Sequence, residues 1–158
     1  MNLKKLFIKY GIYIPLACVV IFTLQSVWVN GTKDWIKQLL SNALVYGVGY
    51  QSIAFAVGHL FKADYIAEYI GWKKGSPFQF EVGIANLAIG VLGIMCTWFS
   101  GVFWLATVVA ASVWYWGCIV GHIRDMVRNK NFKPGSAGFV FYFGLLFPIA
   151  LIVMLVSY

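Results

Sequence analysis

Five apolar stretches, each long enough to cross the hydrocarbon core of a bilayer, follow one another along the chain with only short polar connections between them. They run over residues 11–29, 39–60, 78–99, 102–120 and 137–158, and a spanning helix needs roughly 17 to 25 residues. Lipid offers no water to a bare backbone, so the open-ended solution for such a run is a helix. The expected fold class is therefore all-α: a polytopic membrane bundle of five transmembrane helices in one integral membrane domain, residues 1–158. Residues 1–38 supply an N-terminal span and external loop, and residues 39–158 a four-span core. A shorter amphipathic piece at 63–72 is expected as an interfacial helix. Ser100-Gly101 alone joins the third and fourth spans, which makes them antiparallel neighbours, and Pro148 removes one backbone donor from the fifth and is expected to kink it.

The basic head MNLKKLFIKY in front of the first apolar run has the look of a signal peptide. Gln25-Ser26-Val27-Trp28 is too bulky for a cleavage site, however, so the run is read as an uncleaved first span. Only 11% of the residues are charged, where an ordinary soluble domain carries about 25%. The net charge of +7 would in a soluble chain suggest a nucleic-acid partner. Here the charges sit between apolar runs, where basic residues orient a membrane protein, so the expected partner is the lipid bilayer and not nucleic acid. Ten lysines and arginines fall on one side: Lys4, Lys5 and Lys9, then Lys62, Lys73 and Lys74, then Arg124, Arg128, Lys130 and Lys133. Lys33 and Lys37 fall on the other. That asymmetry places the protein in the inner (plasma) membrane, with the N-terminus cytoplasmic and the C-terminus external.

Helical spacing decides which polar residues share a face. Gly47, Gln51, Phe55 and His59 recur every four residues on the second span. Gln79, Gly83, Asn86, Gly90, Gly93 and Thr97 form a small and polar stripe on the third, a surface that lets another helix approach closely. On the fourth, Thr107, Ala111, Cys118, His122 and Asp125 lie along one side, and Gly117 and Gly121 make a GxxxG pair. His59, Glu81 and His122 thus reach similar depth at the basic end. Ionisable groups inside apolar segments are costly and mark sites by default. The candidate ligand-binding residues are His59, Glu81, Asn86, His122, Gln51 and Asp125, with Glu81 expected to share a proton with the two histidines.

Several chemistries are open to this cluster. Two histidines and a carboxylate could hold a metal, but neither His belongs to an HxxxH or ExxH motif, so no metal site is assigned. A haem between His59 and His122 is a second option, and a purely structural tie among helix ends is a third. Cys18, Cys96 and Cys118 are intramembrane and lack CxxC spacing. No Walker loop, nucleophile elbow, HExxH or dinucleotide-binding turn is present to support a soluble-enzyme mechanism. Ala54–His59 and Gly117–His122 share a small residue, then Val-Gly-His, and Lys74-Gly75-Ser76 and Pro134-Gly135-Ser136 follow at comparable places, as an internal repeat would give.

The span ending in Gly58-His59, the helix DYIAEYIGW, the turn Gly75-Ser76-Pro77-Phe78 and the segment EVGIANLAIGVLGI together resemble the DoxX-like superfamily of small bacterial membrane proteins. More narrowly they are similar to a functionally uncharacterised prokaryotic family with the signatures GSPFQ-E-G-AN and GHIRDM. The resemblance implies a four-span core, here the second to fifth spans, and a role in quinone-linked or redox membrane systems, alone or as a subunit of a larger complex. Many DoxX-like proteins carry a carboxylate where this chain has Asn86, its own acid, Glu81, lying about one and a half turns earlier. The expected function is a ligand-binding or accessory subunit of a redox- or quinone-linked membrane system, holding a lipophilic small molecule such as a quinone. The alternative is a small oligomeric transporter or channel, assembled as a homo-oligomer through the glycine faces.

Overall fold

The computed structural model describes residues 11–158; the basic head with Lys4, Lys5 and Lys9 lies outside the described residues. The described chain is all-helical, and five of its helices are long and apolar enough to cross a membrane: Gly11–Asn30, Trp35–Phe61, Phe78–Met95, Val102–Asn129 and Pro134–Ser157. We label α1 Ile14–Asn30, entered through one 3₁₀ turn, and α2 Trp35–Phe61. They are followed by α3 Ala63–Ile70, α4 Phe78–Met95, α5 Val102–Asn129 and α6 Phe139–Ser157.

The ends differ from the hydrophobic limits in informative ways. α5 continues well past Val120 to Asn129, because its last turns leave the apolar belt but keep an inward face through His122. α4 stops at Met95, where Cys96, Thr97 and Trp98 tighten into successive turns, instead of running to Phe99. The fifth span is broken at Gly138 into a single turn, Pro134–Ala137, and α6. Pro148 is buried within α6, and the helix continues through it.

α1 touches the bundle through one stripe, Pro15, Val19 and Thr23, spaced four residues apart, and is otherwise largely exposed. Thr23 Oγ1 accepts from Asn42 Nδ2 of α2 at 3.2 Å, an interhelical bond worth about 0.6 kcal/mol, at most about 2, in a membrane setting. The middle of α2, Ala43–Tyr50, is π-helical. That widening brings Ala43, Leu44, Gly47, Val48 and Gly49 all into the interior.

α4 lies along α2 over most of its length and touches α5 far less. The small and polar stripe of α4 is the contact: Gln79, Gly83, Asn86, Gly90 and Gly93 are all buried. Backbones meet where Gly49 faces Gly93. A Cβ on Gly49 would stand 2.9 Å from the Ile94 nitrogen, and one on Gly93 would strike the Gly49 backbone. α5 packs instead on α6, with Gly144 beneath Ile119 and Tyr115. The apolar core fills the space between α2, α5 and α6, with Leu40, Leu44, Val48, Trp104, Val108, Ala111, Tyr115, Phe143 and Leu151 in it. By contrast Gly117 and Gly121 of α5 are exposed, with no atom within 4 Å of where a Cβ would stand.

Candidate functional site

His59 stands in the last turn of α2 and Gln79 near the start of α4. His59 Nδ1 donates to Gln79 Oε1 at 2.6 Å. An amide oxygen can only accept, so Nδ1 holds a proton. His122, buried in α5, meets the wholly buried Ser136 through Nδ1 and Oγ at 3.1 Å. The two histidines have the same local arrangement: each ends a Val-Gly-His segment, and each is held by a polar side chain at the start of the spanning segment that follows.

An aromatic series runs from His122 towards the start of α4. The indole of Trp72 stacks on the His122 ring at 5.9 Å and 17°, and its other neighbour is Phe78 at 6.4 Å, the residue before Gln79. Trp72 is delivered there by the end of α3. Gly71 takes φ 95°, and the Gly71 and Trp72 N–H groups both return to the Ala67 carbonyl, at 2.8 and 2.7 Å. This is a left-handed helix stop that glycine adopts without strain.

Asn131 fixes the same end of the molecule. Its Nδ2 donates to the Ile70 carbonyl at 2.8 Å and to Asp125 Oδ2 at 2.6 Å, and its Oδ1 accepts from the Lys133 N–H at 3.2 Å. Asp125 Oδ1 accepts from Asn129 Nδ2, also at 2.6 Å. Both carboxylate oxygens of Asp125 are therefore engaged within the protein. On the α3 side, Lys74 pairs with Glu68 at 2.6 Å, and that pairing holds the Glu68 carboxyl below its usual range. Both partners are solvated, so the pair contributes little to stability.

The six candidate residues do not converge. Glu81 is exposed on the first turn of α4 and makes no hydrogen bond or ion pair among the described residues, so the proton sharing expected with His59 and His122 is not the arrangement seen. The histidines have taken neutral partners instead. The end of α4 accounts for the acid's position, since the N-terminal turn of a helix favours a carboxylate. Asn86 ties α4 to α5: its Oδ1 accepts from Trp114 Nε1 at 3.1 Å while its Nδ2 returns to the Val82 carbonyl at 2.9 Å. Asp125 belongs to the Asn131 cluster described above.

Gln51 is the exception. It is fully buried in α2, directly after the π-helical stretch, and neither end of its amide has a partner among the described residues. Gly47, one turn before it, lies under Phe147, and Phe55, one turn after it, packs on Phe143. Gln51 thus occupies the face of α2 that looks on α6. Its neighbour Ser52 meets the Tyr115 hydroxyl at 2.8 Å, and Ser112, one turn before Tyr115 on α5, also has a buried oxygen without a partner. Two orphaned polar groups therefore lie at the same depth of the bundle.

Gln79 was visible in the sequence as part of a stripe but not as a partner for His59. Ser136 was visible only as part of the Pro134-Gly135-Ser136 repeat and not as a partner for His122, and Trp72 and Asn131 carried no signal as site residues, because their roles depend on the loops that fold over the basic end. Among the described residues no three His, Cys, Asp or Glu side chains come together as metal ligands.

Compared with known protein families, the sequence matches over residues 9–158 a family described as of unknown function, DUF6790. The chain belongs to that family. No curated protein and no solved structure matches it. DUF6790 membership thus fixes kinship along nearly the whole chain, and the functional argument rests on the side chains.

Proposed function

We propose that this DUF6790 protein is a small multi-pass membrane protein that binds the polar head of a lipophilic molecule when α6 moves off the packed core, with Gln51, on the side of α2 that faces α6, as the group that hydrogen-bonds it. The observation that carries the reading is the orphaned Gln51 amide. A buried polar group left without a partner costs about 1–3 kcal/mol, and native interiors tolerate few of them. A primary amide offers two donors and an acceptor, so it suits a carbonyl or hydroxyl set on an apolar body. A quinone or quinol has that chemistry. The DoxX-like resemblance of the second to fifth spans points the same way, towards a ligand-binding or accessory role beside a redox-linked membrane system. In this reading the N-terminus is cytoplasmic and the basic end, with His59 and His122, faces the cytoplasm.

The test is to purify the protein in a mild detergent, extract it with organic solvent and identify retained lipophiles by mass spectrometry. Wild type is expected to retain a carbonyl- or hydroxyl-bearing lipophile, and Gln51→Leu to lose roughly nine-tenths of it, the loss of one buried hydrogen bond. Gln51→Leu removes the unmet amide, so the ligand-free protein is expected to unfold at a higher temperature than ligand-free wild type. A Gln51→Leu protein that retains the same molecules in the same amount, or that is less stable than ligand-free wild type, would overturn the proposal.

A further inference from the structure

We propose that the basic end of α5 carries a second, independent site, for the phosphate group of an anionic lipid, in the cleft of about 290 Å³ lined by Trp72, Gly121, Arg124, Asp125, Arg128 and Asn129. The cleft is shallow and largely open to its surroundings, which suits a headgroup lying on the surface better than an enclosed ligand. Arg124 and Arg128 are one helical turn apart and so share a face. They are the only arginines in the chain, the other ten cations being lysines. Orientation in a membrane needs only positive charge, which lysine supplies as well as arginine. What arginine adds is a planar fork of donors that matches phosphate oxygens two at a time, and both forks of this protein line one cleft.

The charges around that cleft leave the arginines available. Asp125 also lines it, but its two oxygens accept from Asn129 and Asn131. Neither arginine forms an ion pair among the described residues, where the ion pair found is Lys74–Glu68. Trp72 closes one wall with an indole whose other face is occupied by His122.

The surface below the cleft decides the source of the phosphate. Gly121 is one of its lining residues, and Gly117 lies one turn deeper on the same side of α5. Among the described residues neither has a neighbouring atom within 4 Å of a would-be Cβ. Val113, Trp116 and Val120 are exposed beside them. An uncovered apolar strip therefore runs from the arginines along the flank of a helix apolar enough to span a membrane. A free phosphate ion has no use for such a strip, whereas the acyl chain of a lipid can lie on it.

The test uses native mass spectrometry of the full chain in detergent micelles doped with equal amounts of phosphatidylglycerol and phosphatidylcholine. Wild type is expected to retain the anionic lipid preferentially. Arg124→Gln with Arg128→Gln is expected to cut that retention roughly tenfold, as the loss of charge-assisted pairs implies. Lys62→Gln with Lys73→Gln, the same change of charge at the same end, is expected to leave it unchanged. Arg124→Lys with Arg128→Lys keeps the charge and any contribution of charge to folding, and is expected to lose most of the preference. Gly121→Leu places a bulky side chain in the cleft beside the strip and is expected to lower retention with both arginines intact. Equal loss in the arginine and lysine pairs would show a bulk charge effect and overturn the proposal. So would displacement of the lipid by millimolar inorganic phosphate, which would assign the cleft to a free anion.

Discussion

Asn131 joins three separate parts of the chain with one side chain: the end of α3 through the Ile70 carbonyl, α5 through Asp125, and the approach to the last span through the Lys133 N–H. Asn131→Ala is expected to cost about 1 kcal/mol, the net loss of hydrogen bonds at part-buried positions. Asn131→Asp should cost more than Asn131→Ala, because it sets a second carboxylate against Asp125 and gives the Ile70 carbonyl nothing to accept. Thermal unfolding of both variants in detergent checks the order. Glu81 makes the opposite case. Its depth in the sequence suggested a proton-sharing partner for the two histidines, but helical depth says nothing of which way a side chain faces. Exposed on the first turn of α4, its carboxylate has only the favourable end of its own helix, worth about 0.3–1 kcal/mol. Glu81→Gln is therefore expected to shift stability by less than 1 kcal/mol. Gln51 was legible from periodicity as an inward residue, whereas its lack of a partner is a property of what the other helices bring, which no single stretch of sequence contains.

At the scale of the element, apolar run length located all five long helices, since that signal is set by the solvent and not by tertiary detail. Their ends were less legible, because α5 runs on amphipathically beyond its apolar part and α4 stops where a turn begins. The π-helical stretch of α2 left no mark that periodicity could detect, as one face of Gly, Ala and Val looks alike at either pitch. Glycine content was likewise readable only as a potential for close approach. Gly93 is committed to the Gly49 backbone and Gly117 to nothing among the described residues. Gly93→Ala is expected to destabilise by about 1–3 kcal/mol, the cost of overpacking a tight contact. Gly117→Ala, made into open space, should leave the unfolding midpoint unchanged or slightly raised, glycine being the poorer helix former by about 1 kcal/mol. The pair measured side by side separates internal from external glycines.

For the whole molecule, helices adjacent in sequence are not always the ones that pack most. α4 and α5 are joined by a short turn, but α4 lies on α2, while α5 lies on α6. Core residues Leu44 and Val48 of α2 and Trp104 and Val108 of α5 are sealed by Phe143 and Leu151, both on α6. Since a ribosome delivers helices in order, the partner of α4 has already emerged when α4 enters the membrane, whereas α5 must wait for its own. The protein is therefore born open along one side of α5, with the Ser52–Tyr115 pair and the Gln51 amide facing lipid or a waiting insertase until α6 is threaded in. That interval, rather than the finished bundle, is when a quality-control protease would find a substrate.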